Sequence, residues 1–130
     1  MTILIIDDEE FLMENLAQYL EKKIPAKISC VSSAGKAIQL LENKRFDLVV
    51  CDLNLPDQSE GDLVLSINKL NPHQPFIIIS AISEHEMPVC LRGNKNLNIA
   101  AYFEKPFNIV SIKNEILAIK KLQMKKSIEV

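Results

Sequence analysis

The sequence predicts an α/β fold, an open parallel sheet built from five β-then-α units, and three observations carry that reading. Short runs at Ile3 to Ile6, Leu48 to Cys51 and Phe76 to Ile79 are apolar at every position. Runs without alternation suit strands covered on both faces, as in a parallel sheet. Longer segments between them carry one-sided apolar stripes, which suit helices laid on a sheet face. The two patterns alternate along the chain, as right-handed crossover units require.

In order, the first strand is Ile3 to Ile6. The helix after it repeats Leu12, Leu16 and Leu20 at four-residue spacing and stops before Pro25. Ile28 to Val31 is a weaker second strand. Ser32 or Ser33 can cap the second helix, on which Ala37 and Leu41 share a face. Leu48 to Cys51 is the third strand, and Leu63 with Ile67 marks the third helix. After the fourth strand, Phe76 to Ile79, the segment Ser83 to Asn98 contains Pro88, Gly93 and three asparagines, with no clean stripe. A fourth helix there is expected to be short, broken or mobile. Ala101 to Phe103 is the fifth strand. Asn108 sits where an N-cap would open the fifth helix, which carries Ile112, Ile116 and Ile119. Lys113, Lys120, Lys121, Lys125 and Lys126 suit its outer face.

At 130 residues the chain reads as a single domain, long enough to bury a core. With 48% hydrophobic residues, 25% charged and a formal charge of −2, disorder is disfavoured. The same balance argues against direct nucleic acid binding by bulk charge. Cys30, Cys51 and Cys90 are an odd count without a CxxC pair, which fits reduced cytoplasmic thiols better than a disulfide framework or a zinc site. No apolar run approaches the roughly 18 to 20 residues of a membrane span, and no leader is evident, so a soluble cytoplasmic domain without membrane contact is expected. His73 and His85 lack a ligand-spaced partner and are expected to be exposed. Cys51 should face away from its neighbour Asp52 and fill the core.

The chemistry lies at the strand ends. In an open parallel sheet, ligands bind outside the carboxyl ends of the strands, near the point where strand order reverses. The first strand runs into Asp7 and Asp8, and the third into Asp52. If the two strands are neighbours, three carboxylates converge, and their mutual repulsion is relieved by a hard divalent cation such as magnesium. The fourth strand closes with Ser80, a hydroxyl donor, and the fifth is followed by Lys105, an ammonium. Metal, hydroxyl and lysine around one carboxylate describe a site for a transferred phosphoryl group, with Asp52 as the in-line nucleophile.

These residues resemble the receiver domain of two-component response regulators. The matching pieces are Ile5-Ile6-Asp7-Asp8-Glu9, Asp47-Leu48-Val49-Val50-Cys51-Asp52-Leu53-Asn54-Leu55-Pro56, Ile77-Ile78-Ile79-Ser80-Ala81 and Tyr102-Phe103-Glu104-Lys105-Pro106-Phe107. The resemblance covers essentially the whole chain. It implies a flavodoxin-like, doubly wound (βα)5 three-layer sandwich with strand order 2-1-3-4-5. It also implies phosphorylation of Asp52 by a histidine kinase or a histidine phosphotransfer protein. Asp7, Asp8, Asp52 and the backbone carbonyl of Asn54 would serve Mg2+, Lys105 would bind the phosphoryl group, and Ser80 would be the switch hydroxyl. Tyr102 falls on the family's aromatic switch position, which alters the face made by the fourth helix, fifth strand and fifth helix toward an output domain or protein. Such a domain catalyses only its own phosphotransfer and dephosphorylation. A homodimer through the same face is an arrangement the family allows.

Three departures accompany the resemblance. Gly61 comes one residue later than usual after Asp52, which places an extra residue in the loop Asp57-Gln58-Ser59-Glu60. The interval from Ser80 to Lys105 is also long, with the excess in the irregular fourth-helix region. Asn98 stands where the family often has glycine and is expected to end that helix in a left-handed conformation. A haloacid-dehalogenase-like phosphatase would need a second aspartate where Asn54 stands. A pseudo-receiver would be expected to have lost one of Asp7, Asp8, Asp52, Ser80 or Lys105. Residues 1–130 are expected to form one receiver domain with no output domain in this chain, either a stand-alone receiver that signals by docking or the front end of a longer regulator.

Overall fold

The computed structural model describes residues 1–59 and 61–129; Glu60, part of the expected loop insertion, lies outside them. The elements alternate as β1 (Thr2–Ile6), α1 (Glu10–Lys23), β2 (Lys27–Val31), α2 (Ala34–Asn43), β3 (Leu48–Asp52), α3 (Asp62–Leu70), β4 (Pro75–Ser80), β5 (Asn98–Glu104) and α4 (Ile109–Glu129). All five strands are parallel, in the order β2-β1-β3-β4-β5. This is the flavodoxin-like arrangement, and its strand order reverses between β1 and β3.

The alternation of side chains along each central strand divides the core between the two faces. Leu4, Ile6, Val49, Cys51, Phe76 and Ile78 pack against Ala34 and Ala37 of α2 and Leu63, Val64 and Ile67 of α3. Ile3, Ile5, Leu48, Val50, Ile77 and Ile79 pack against Met13, Leu16 and Leu20 of α1 and Ile112, Ile116 and Ile119 of α4. Each such aliphatic side chain stabilises the fold by about 1.5–3 kcal/mol relative to exposure. The edge strands β2 and β5 are only half covered, which is why their sequences read as weaker strands.

The helix ends follow local chemistry. Ser33 Oγ accepts from the Lys36 N–H at 3.2 Å and caps α2, and Asn108 Oδ1 accepts from the Val110 N–H at 2.8 Å at the start of α4. Gly61, at φ +84°, takes the left-handed turn into α3, where a Cβ would lie 3.2 Å from both Cys90 Sγ and Leu91 Cγ.

The expectation of five helices needs correction. Four α-helices are present among the described residues, and a 3-10 turn at Glu84–Glu86 followed by hydrogen-bonded turns replaces the expected fourth. Pro88 cannot donate a helical hydrogen bond. Its carbonyl instead accepts from the N–H groups of Leu91 and Arg92, and Met87 and Leu91 anchor the segment by burial. The left-handed residue here is Gly93 at φ +70°, whereas Asn98 begins β5 and no described non-glycine residue has positive φ. The helix expected as the fifth is therefore α4. No described helix is long and apolar enough to cross a membrane.

Candidate functional site

The carboxyl ends of β1, β3, β4 and β5 carry Asp7, Asp52, Ser80 and Lys105 along one edge of the sheet. The first three are almost fully buried, at 0%, 3% and 0% exposure. Asp7 continues the sheet, since its N–H donates to the Val31 carbonyl at 3.2 Å. The two buried aspartates are held alike. Asp7 Oδ1 accepts from the Glu9 N–H at 2.9 Å, and Asp52 Oδ1 accepts from the Asn54 N–H at 3.0 Å. These local turns fix both carboxylates and aim each Oδ2 at Lys105, whose Nζ lies 2.9 Å from Asp7 and 3.2 Å from Asp52. The contact with Asp7 has ion-pair distance without hydrogen-bond alignment, so Asp7 Oδ2 has a compensating charge but no directed donor. Glu9 Oε1 adds a third, more exposed carboxylate at 3.4 Å.

The balance of charge is unfavourable for the acids. One ammonium faces the carboxylates of Asp7, Glu9 and Asp52, while one carboxylate oxygen each from Asp7, Asp8 and Asp52 lies within 4.8 Å of the others. Burial, with a contribution from Asp52, raises the Asp7 pKa above its ordinary value despite the Glu9 N–H and Lys105. For Lys105 burial works downward, but Asp7 and Asp52 outweigh it and hold the ammonium above its ordinary value. A cluster of hard oxygens with a surplus of negative charge, one of them lacking a directed donor, fits an oxygen-preferring divalent cation.

The hydroxyl side of the crevice is linked through Ile82. Ser80 Oγ accepts from the Ile82 N–H at 3.2 Å, and the half-buried Tyr102 donates its hydroxyl to the Ile82 carbonyl at 2.6 Å. The Lys105 N–H donates to the Ser80 carbonyl at 2.7 Å, tying the tips of β4 and β5 together. Asp7 and Asp52 thus meet Lys105 directly with Asp8 beside the two acids, Ser80 closes the neighbouring strand, Asn54 braces Asp52 through its N–H, and Tyr102 connects by way of Ile82.

Cys51 is fully buried among the residues facing α2 and α3, where burial first and then Asp52 and Asp7 push its thiol pKa far up. It is a core residue, and His73 and His85 are exposed. Two features escaped the sequence reading. Glu9 reaches Lys105, a contact signalled only by its place in the acidic run. Asp57 crosses to α2, accepting from the Ala34 N–H at 3.0 Å and the Gly35 N–H at 3.1 Å, and nothing local in the sequence announces that reach.

Known proteins are similar to this chain in sequence and in fold. The sequence pattern of the response regulator receiver domain matches residues 3–117. The hydrogenase transcriptional regulatory protein HoxA of Bradyrhizobium diazoefficiens is 30% identical over 125 residues, covering 94% of this chain and 25% of that protein. The response regulator SaeR of Staphylococcus aureus is 29% identical over 124 residues, covering 92% of this chain and 52% of that protein. The chain therefore spans between a quarter and about half the length of these curated relatives. Among solved structures, a CheY-like receiver domain protein from Methanospirillum hungatei superposes with a TM-score of 0.83 at 27% identity, covering 96% of this chain and 97% of that one. The receiver domain of a putative Luxo repressor protein from Vibrio parahaemolyticus gives 0.80 at 28% identity, covering 99% and 97%. Strand order, the acidic crevice at the sheet's carboxyl edge and these likenesses agree, and the chain belongs to the response regulator receiver domain family of two-component signalling.

Proposed function

We propose that this receiver domain takes a phosphoryl group onto Asp52 from the phosphohistidine of a histidine kinase or histidine phosphotransfer protein, with Mg2+ as cofactor. The observation that carries the proposal is the placement of Asp52. Its side chain is almost fully buried at the tip of β3, with Oδ2 3.2 Å from Lys105 Nζ and two further aspartates beside it. Asp7, Asp8, Asp52 and the Asn54 carbonyl would hold the ion. When bound, Mg2+ supplies positive charge to the oxygens of the transferring group.

The remaining steps belong to the chain's own residues. An Asp52 oxygen attacks phosphorus as the donor's P–N bond breaks, and that bond's electron pair returns to the imidazole nitrogen. The product is an acyl phosphate on Asp52. Lys105, held charged by Asp7 and Asp52, exchanges a carboxylate contact for a phosphoryl oxygen. Ser80 turns its hydroxyl toward the same group and releases the Ile82 N–H, and Tyr102, bonded to the Ile82 carbonyl, registers the change. Residues 1–130 act in this reading as one receiver domain, a signalling switch that catalyses only its own phosphotransfer and dephosphorylation. Output passes to a downstream domain or protein, without direct nucleic acid or membrane contact by this domain. The free thiols of Cys30, Cys51 and Cys90 support a cytoplasmic setting.

A beryllofluoride titration in Mg2+ tests the reading, because that anion can stand in for a phosphoryl group on a carboxylate. Amide resonances of Ser80, Ile82, Tyr102 and Lys105 should shift together in the natural chain and stay unmoved in Asp52→Asn. Equal shifts in both proteins would contradict the assignment of Asp52.

A further inference from the structure

Three residues beyond Asn54, the chain reaches across to a different helix. The first turn of a helix has N–H groups that no intrahelical carbonyl can satisfy. In α2 the third of these goes to Ser33 Oγ, while the first and second, from Ala34 and Gly35, both go to the carboxylate of Asp57. Asp57 is thus a capping group supplied from the β3–α3 loop, and its negative charge also suits the positive end of the helix. The arrangement holds Asp57 ionised, since the two N–H groups lower its pKa.

The same two bonds fasten the loop. Leu53 and Leu55 are 3% and 5% exposed and anchor its first half in the α2-facing core, leaving Asn54 exposed between them. Farther on, Pro56, Asp57, Gln58 and Ser59 are all exposed, so burial does not hold that half. The turn bond from the Gln58 N–H to the Leu55 carbonyl is long, at 3.4 Å. Asp57 holds this half from one side, and at the other the Asp62 N–H donates to the Ser59 carbonyl at 3.1 Å, beside Gly61, where a Cβ would crowd Cys90 and Leu91.

We infer that Asp57 is a positioning residue for the metal-facing loop: it fastens the half beyond Asn54 to the N-terminus of α2 and so completes, with buried Leu53 and Leu55, the setting of the Asn54 carbonyl for the cation. The inference rests on the proposed function, in which Asn54 contributes to the Mg2+ site. Partners that orient a metal's ligands commonly change affinity by about 10- to 100-fold when removed. Asp57 acts at three residues' remove, so a loss of about 3- to 10-fold is expected, below that range.

The test is a MgCl2 titration followed by amide NMR shifts, with thermal unfolding in EDTA measured alongside. Asp57→Ala is compared with Ser33→Ala, which removes the other α2 cap and leaves the loop tether intact. Asp57→Asn serves as a milder second variant should Asp57→Ala fail to fold. Both capping variants should melt earlier than the natural chain. Only the Asp57 variants should bind Mg2+ more weakly, with Asn54 among the shifted resonances. Unchanged affinity in the Asp57 variants, or an equal loss in Ser33→Ala, would overturn the inference while leaving the metal site standing. A natural chain that bound no Mg2+ would overturn the functional reading and this inference together.

Discussion

Replacing Asp7 by asparagine should stabilise the metal-free protein while removing its capacity to hold Mg2+. Asp7 is fully buried and keeps one acceptor bond, from the Glu9 N–H, which an asparagine oxygen can also make. Its Coulomb interactions nearly cancel. Repulsion from Asp52, at 4.8 Å or less, is about 3.5 kcal/mol at an effective dielectric of about 20, and that from exposed Asp8 about 0.9 kcal/mol in a water-like dielectric. Attraction to Lys105 at 2.9 Å is about 5.7 kcal/mol on the buried scale. The net attraction of about 1 kcal/mol is smaller than the several kcal/mol that desolvating a carboxylate costs. Neutralising the side chain should therefore gain about 1–2 kcal/mol at pH 7, or roughly 3–10 °C in Tm for a domain of this size. The sign carries a pH dependence. Because burial raises the folded-state pKa of Asp7 above 3.8, its penalty is fully present above that folded value and fades as the pH falls through it. Thermal unfolding by circular dichroism in EDTA should show the variant melting higher at pH 7, with the gap closing on acidification. Adding Mg2+ should raise the Tm of the natural chain only. A lower Tm for Asp7→Asn in EDTA would mean that the Asp7 charge stabilises the metal-free fold, the opposite of this expectation.

Other perturbations follow from the same geometry. Lys105→Ala leaves Asp7 and Asp52 without their shared cation and should cost about 2–4 kcal/mol in urea unfolding at pH 7, near the range for breaking a buried pair. Since the folded-state pKa of Lys105 is raised above 10.5, its contribution is complete below that pH, and the two proteins should converge as the pH rises through the folded value. Ile77→Ala, at the fully buried centre of β4, should cost about 2–5 kcal/mol by the same assay without changing the aspartate cluster. Asp57 has a lowered folded-state pKa, so its stabilisation is present above 3.8 and lost as the pH falls through the folded value. Asp57→Ala should therefore show a shallower loss of stability on the acid side than the natural chain.

The legible parts of the sequence were those in which one local rule suffices. Ile3 to Ile6, Leu48 to Cys51 and Phe76 to Ile79 are apolar at every position because β1, β3 and β4 are covered on both faces. The caps at Ser33 and Asn108 could be found because a cap and the helix it serves adjoin in sequence. Pro88 and Gly93 correctly marked the fourth helix as weak, but periodicity could not show that turns pinned by Met87 and Leu91 would replace it. Asn98 was misplaced because its tolerance for positive φ is only a propensity, and pairing with Pro75 at the edge of β4 decided its conformation instead. The acids were legible as strand-end residues once β1 and β3 were taken as neighbours. The Asp57 bridge was not, since it joins residues 23 positions apart through backbone N–H groups that any sequence possesses.

The most direct test of the central claim is intact-mass spectrometry after incubation with acetyl phosphate, with and without Mg2+, on the natural chain and on Asp52→Asn. A single phosphoryl adduct should form on the natural chain, require Mg2+ and be absent from the variant. An adduct of equal yield on Asp52→Asn, or no adduct on a natural chain that binds both Mg2+ and beryllofluoride, would contradict the claim.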